Sequence, residues 1–137
     1  MGKRLWVERN KDGSWDAFSE DGAHLKFGKG KGVFTPGDLI KIALGGCAAL
    51  SSNFAVESVL GKGAGAHVVI DGNYDAEDDT YLAFTEQVTV DASDADLSDE
   101  DAEKLKERMT RHIEKSCTVK HTLERETPVR MQVTVRH

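Results

Sequence analysis

Thr35-Pro36-Gly37-Asp38-Leu39-Ile40-Lys41-Ile42-Ala43-Leu44-Gly45-Gly46-Cys47 is the stretch that decides the fold. Thr35 is placed to cap a helix, and the fixed φ of Pro36 suits the first turn. Asp38 stands at the capping-box position with its charge near the positive end of the helix dipole. Leu39, Ile42, Ala43, Cys47, Leu50 and Phe54 then leave almost no polar face between positions 39 and 50. The pattern predicts a helix from Pro36 to about Leu60, stopped by Gly61 and buried on most sides as the core of the protein. Gly45, Gly46, Ser51, Ser52 and Asn53 interrupt its apolar run, which Lys41 and Glu57 bound. A bilayer span needs about 20 mostly apolar residues, so the expectation is a core helix and no membrane.

Two glycines inside that helix each cost about 1 kcal/mol relative to alanine. Either another element packs closely against Gly45-Gly46, or space is kept around the neighbouring Cys47 sulfur. The residue pattern leaves both open.

Upstream of the helix, Leu5–Val7, Trp15–Phe18 and His24–Phe27 read as short strands. Asp12-Gly13 and Asp21-Gly22 supply turns, because glycine takes the positive φ that tight hairpins need. Gly28-Lys29-Gly30-Lys31-Gly32 meets neither phosphate-binding spacing and reads as a loop. Downstream, His67–Tyr74 and Tyr81–Asp91 form a predicted hairpin in which Leu82, Phe84, Val88 and Val90 share a face. Ser98-Asp99-Glu100-Asp101 starts a second helix, to about Ser116, with Ala102, Leu105, Met109 and Ile113 on one side. The seven carboxylates from Asp91 to Glu103 lack calcium-loop spacing and read as a solvated helix start. Val129, Met131, Val133 and Val135 alternate with polar residues and predict a last strand. The order βββ-α-ββ-α-β gives an α+β fold with a mainly antiparallel sheet, in one domain over 1–137.

Composition narrows the function. The 137 residues carry 18 Lys+Arg against 24 Asp+Glu, a net charge of −6. No basic patch stands out, so nucleic acid and anionic membrane are not expected partners. Met1-Gly2-Lys3-Arg4 has no apolar run behind it, so no signal peptide is expected and the location reads as cytoplasmic.

Two cysteines, Cys47 and Cys117, carry what chemistry there is. Cys47 lies in mid-helix, beyond the field of its own helix start, and burial alone would leave it inert unless a cation lies alongside. As a plain residue it would be a small hydrophobe. His112, Cys117 and His121, with or without Cys47, are a conceivable metal set, but the close ligand pairs typical of zinc are missing. A thiolate paired with His67, His112 or His121 would make a hydrolase, though no local motif specifies it. No GxSxG elbow is present.

The stretch from Thr35 to Cys47 resembles the Pro-x-Glu-Leu…Ala-Leu-x-x-Cys helix of the OsmC/Ohr family. Ser116-Cys117-Thr118-Val119-Lys120-His121-Thr122-Leu123 resembles its second signature, Cys-Pro-Val-Ser-x-x-Leu, and the element order matches across nearly the whole chain. The resemblance implies an intertwined homodimer and a peroxidase of oxidative stress defence that uses no metal, haem or flavin. It makes Cys47 the thiolate that attacks an organic hydroperoxide and Cys117 the thiol that resolves the sulfenate to a disulfide. An external dithiol then reduces that disulfide. It also places an activating arginine on the N-terminal strands, where Arg9 is the first candidate and Arg4 the next. Three positions depart from the pattern. Gly37 stands where Ohr-type members carry Glu, Thr118 replaces a proline, and the arginine strand does not align securely. Gly37 and Thr118 keep a second expectation alive, a non-catalytic dimer of the same fold that binds a small apolar ligand.

Overall fold

The computed structural model describes residues 2–137. Its elements run β1 (Leu5–Arg9), β2 (Trp15–Ser19), β3 (His24–Phe27), α1 (Pro36–Leu60), β4 (His67–Asp75), β5 (Thr80–Thr89), α2 (Asp99–Ser116) and α3 (Thr118–Leu123). They fall into two compact units, Met1–Ile42 and Ala43–His137.

In the first unit β1, β2 and β3 form an antiparallel meander. Gly13 and Gly22 hold φ of 90° and 94° in its two turns, so the Asp-Gly pairs act as expected. The register aligns Trp6, Phe18 and His24 across one face, where Trp6 stacks on Phe18 and Phe18 on His24. The buried Asp16 carboxylate accepts from Asn10 at 2.6 Å and lies 2.8 Å from the His24 ring, and both hold its pKa below the usual carboxylate range. The opposite face carries Leu5, Val7, Arg9 and Leu25, and its Leu5 and Val7 side chains are exposed.

The capping box at the start of α1 is reciprocal. Thr35 N–H donates to Asp38 at 2.9 Å, and Asp38 N–H donates to the Thr35 hydroxyl at 3.1 Å. Gly61 ends the helix at φ 97°, its N–H donating to the Glu57 carbonyl at 2.9 Å.

In the second unit β4 and β5 pair antiparallel, with a bulge at Asn73/Tyr74. Ala55 and Val56 of α1 meet Leu105 and Met109 of α2 in the core, with Leu60, Val88 and Val90 packed around them. Ser98 caps α2, its hydroxyl accepting from Asp101 N–H at 3.1 Å. Buried Ser52 returns its hydroxyl to the Ala48 carbonyl at 2.9 Å, so it enters the core without an orphaned donor.

Two expectations are corrected. The helix α1 is buried along one side only, through Leu44, Gly45, Ala48, Ser52, Ala55 and Val56, while Leu50 is 81% and Phe54 74% exposed. By length and composition it is also apolar enough to cross a membrane, a test that core helices pass as well. The last strand does not form: no helix or strand follows α3, and Val129, Met131, Val133 and Val135 are 76–90% exposed. Their alternation is that of a strand, but a strand needs a neighbouring edge, and here the segment pairs with none. The observed order is therefore βββ-α-ββ-α-α, still α+β and antiparallel.

Candidate functional site

Cys47 projects from the middle of α1 and is half-buried. Cys117 occupies the joint between α2 and α3, closing the first helix and capping the second. Its N–H donates to the Ile113 carbonyl at 3.0 Å, and its sulfur accepts from Lys120 N–H at 3.5 Å. Two helices thus fix one residue, which is 0% exposed.

The fold brings the two sulfurs together. Both are free thiols, and they stand close enough that each sulfur acts on the other's ionisation. Burial alone would push Cys47 up, but it is outweighed. The Val119 N–H, the Cys117 thiol, the Ser51 hydroxyl and the Thr118 N–H converge on the sulfur and hold its pKa below the ordinary thiol value. Cys117 moves the other way. Burial pushes it up, and so do its role as donor to Cys47 and the charges of Cys47 and Glu86, against the single Lys120 N–H. The two thiols are thus shifted in opposite directions.

The stabilisation of Cys47 comes from a source the residue pattern did not announce. The reading of α1 alone sought a cation, because the helix's own dipole does not reach mid-helix. Instead the backbone after Cys117 turns sharply into α3 and presents the N–H groups of Thr118 and Val119. Thr118, which stands in place of a proline, is thereby a hydrogen-bond donor to the site. Proline there would have no N–H to give.

Of the two explanations of the glycine pair, close packing holds at Gly45. A Cβ built on Gly45 would collide with Ile70 of β4, with Ile70 Cγ1 at 2.7 Å and Val68 Cγ1 at 3.5 Å. Around Gly46 nothing lies within 4 Å. Gly45 lets β4 approach α1 two residues before Cys47, and Gly46, directly before it, borders open space.

Arg9 belongs to the first unit, where its guanidinium lies 5.9 Å from the Trp15 ring centre on the face it shares with Leu5 and Val7. Arg4 lies 5.3 Å over Trp6. His121 has its ring nitrogen 2.6 Å from the Glu114 carbonyl. Among the described residues no three His, Cys, Asp or Glu side chains are arranged to hold a metal ion. Reading the sequence also passed over Glu86. It occupies the same face of β5 as Val88, between Phe84 and Val88, and the break in the apolar alternation was its signal.

An antiparallel α+β fold with two neighbouring free thiols, one at mid-helix and one at a helix joint, defines the class. The family model described as OsmC-like protein matches residues 28–132. Uncharacterized proteins of Mycobacterium tuberculosis and Mycobacterium bovis are 34% identical over 132 residues, 95% of either chain. The chain belongs to the OsmC-like family. Its fold is also that of an OsmC-like protein from Mycoplasma pneumoniae, with a TM-score of 0.65 at 14% identity, covering 90% of this chain and 88% of that one. The organic hydroperoxide resistance protein OhrB of Bacillus subtilis matches with a TM-score of 0.54 at 17% identity, over 89% and 90%.

Proposed function

We propose that the chain, acting as one domain over 1–137, is a dithiol-dependent peroxidase that reduces organic hydroperoxides in oxidative stress defence in the cytoplasm. The observation that carries this reading is a neighbouring pair of free thiols whose surroundings push them in opposite directions, Cys47 down and Cys117 up. The thiolate, not the thiol, is the nucleophile, so Cys47 acts first. Its sulfur attacks the O–O bond and takes the terminal oxygen. The other oxygen leaves as alkoxide, takes a proton and departs as alcohol, and Cys47 becomes a sulfenic acid. Cys117 then attacks that sulfur, water leaves, and a Cys47–Cys117 disulfide forms. An external dithiol gives two electrons and two protons to restore both thiols. Capture by a second thiol in contact protects the sulfenate from further oxidation.

The working form is a homodimer. Leu50 and Phe54 on α1, Leu5 and Val7 on β1 and the alternating Val129–Val135 segment are all exposed apolar surface in the single chain. A second copy would cover them in an obligate interface of more than about 2,000 Å². Arg9 supplies the activating cation in this reading, the role that the family resemblance implies for an arginine of the N-terminal strands.

The second reading, a non-catalytic dimer that binds a small apolar ligand, is favoured by a cavity of about 530 Å³ between β5 and α2, lined by Val88, Val90, Leu105, Met109 and Ile113. Free-thiol titration before and after one equivalent of cumene hydroperoxide separates the two. Rapid loss of two thiols per chain supports the peroxidase, and unchanged thiols support the binding protein.

A further inference from the structure

The cavity of about 530 Å³ between β5 and α2 falls within the range of about 300–1,000 Å³ for sites that take drug-sized ligands. Val88, Val90, Leu97, Leu105, Met109 and Ile113 give it an apolar wall, and neither cysteine lines it. One lining residue does not fit that wall. Val88 and Val90 pack on the core, and the preceding position on the same face of β5 is Glu86. Its register partner on β4 is Ile70, whose side chain crowds Gly45 of α1, so the carboxylate has an apolar neighbour across the strands as well. Glu86 Oε1 is buried without a hydrogen-bond partner among the described residues. A buried acceptor left unpaired is costly, and a valine there would continue the apolar period of β5 without that cost.

The other charges on the lining stand differently. Lys120 is held by Glu124 at 2.7 Å, and Lys106 and Glu114 are exposed on α2, where water meets them. Glu86 is the charged group on the strand side, beside the apolar wall. A carboxylate oxygen only accepts hydrogen bonds, so what it lacks is a donor. A carboxylate ligand would be repelled there, and a hydroxyl brings one hydrogen without charge. A primary ammonium brings three N–H donors and a positive charge, the stronger kind of hydrogen bond.

We propose that this cavity binds an amphiphilic primary amine, its apolar chain against Val88, Val90, Leu105 and Met109 and its ammonium on the Glu86 carboxylate. The inference gives a ligand class to the cavity of the second reading above, and it rests on the ligand site of that reading, not on its idle thiols.

Isothermal titration calorimetry of the whole chain with octylamine, octyltrimethylammonium, octanol and octanoate tests it. Octylamine should bind at least about tenfold more tightly than the other three, the scale of a hydrogen bond to a charged group. The trimethylammonium head keeps the charge and lacks the N–H, so its weaker binding isolates the hydrogen bond. Glu86→Gln should bring octylamine down to the affinity of octanol and leave octanol unchanged. Glu86→Val, which extends the Val88–Val90 period, should do the same and serves if the Gln variant fails to fold. Ala102→Trp, filling the cavity from α2, should abolish binding of amine and alcohol alike. Equal affinity for the four amphiphiles would overturn the proposal, and so would a preference for octanoate or octylamine binding untouched by both Glu86 variants. No binding of any of the four, as when a second copy fills the cavity, would overturn it too. Free-thiol titration with hydroperoxide is a separate readout: loss of both thiols with octylamine binding intact would refute the idle-thiol reading and retain the amine site.

Discussion

Cys47 and Cys117 are neighbours that act on each other's ionisation, yet their surroundings push them in opposite directions. Around Cys47 four donors converge on a half-buried sulfur. Around Cys117 one N–H stands against full burial, its own role as donor and the charge of Glu86. The difference shows that residue type alone does not set the tendencies of a thiol pair. Burial and the count and direction of hydrogen bonds do, since burial and a bond given favour the thiol and a bond accepted favours the thiolate.

Removing either sulfur should have the largest effect. Cys47→Ser should abolish hydroperoxide consumption. Cys117→Ser should complete one oxidation per chain and then fail to recycle, as a single-turnover assay would show. A Cys117→Ser chain unable to react at all would reverse the two roles.

Next in size is the cation. A nearby positive charge lowers a thiol's pKa, so the alkylation rate of Cys47 should fall as pH drops below its depressed value and level off above it. Arg9→Ala should move that limb up by about 1–3 units. Iodoacetamide rates against pH, measured on Cys117→Ser with and without Arg9→Ala, read the shift directly. Superimposed profiles would leave the Thr118 and Val119 N–H groups to stabilise Cys47 without Arg9.

Smaller still, and confined to stability, is the glycine pair behind Cys47. Gly45→Ala drives a methyl into Ile70 and should cost about 1–3 kcal/mol, the range for overpacking a core. Gly46→Ala meets open space and should gain about 0.5–1 kcal/mol through its helix preference and a stiffer unfolded chain. Urea denaturation of both variants checks the sign. Equal losses would mean that Gly46 is covered in the homodimer.

The fold was legible wherever a local rule fixes the backbone. The Thr35–Asp38 and Ser98–Asp101 caps formed as read, and so did the Asp-Gly turns and the stop at Gly61. The Val129–Val135 strand was legible as a pattern but not as an element, because strand formation depends on an edge that local sequence does not contain. The site was half legible. Two thiols declare themselves by residue type. Backbone N–H groups carry no such mark, and nothing in α1 announces that Thr118 and Val119 will meet it. Glu86 was visible as a fault in the alternation of β5, and the neighbouring Phe84 and Val88 drew the eye past it. Of the two explanations for the glycine pair, the structure shows close packing at Gly45, while Gly46 faces open space.

Sulfenate trapping tests the order of the two sulfurs most directly. Cys117→Ser is mixed with one equivalent of cumene hydroperoxide in the presence of dimedone, and the modified peptide is found by mass spectrometry. A single dimedone adduct on Cys47, absent from Cys47→Ser treated in the same way, is the result expected of an attacking Cys47 thiolate. A Cys47 that stays an unmodified thiol after exposure to the peroxide would contradict it.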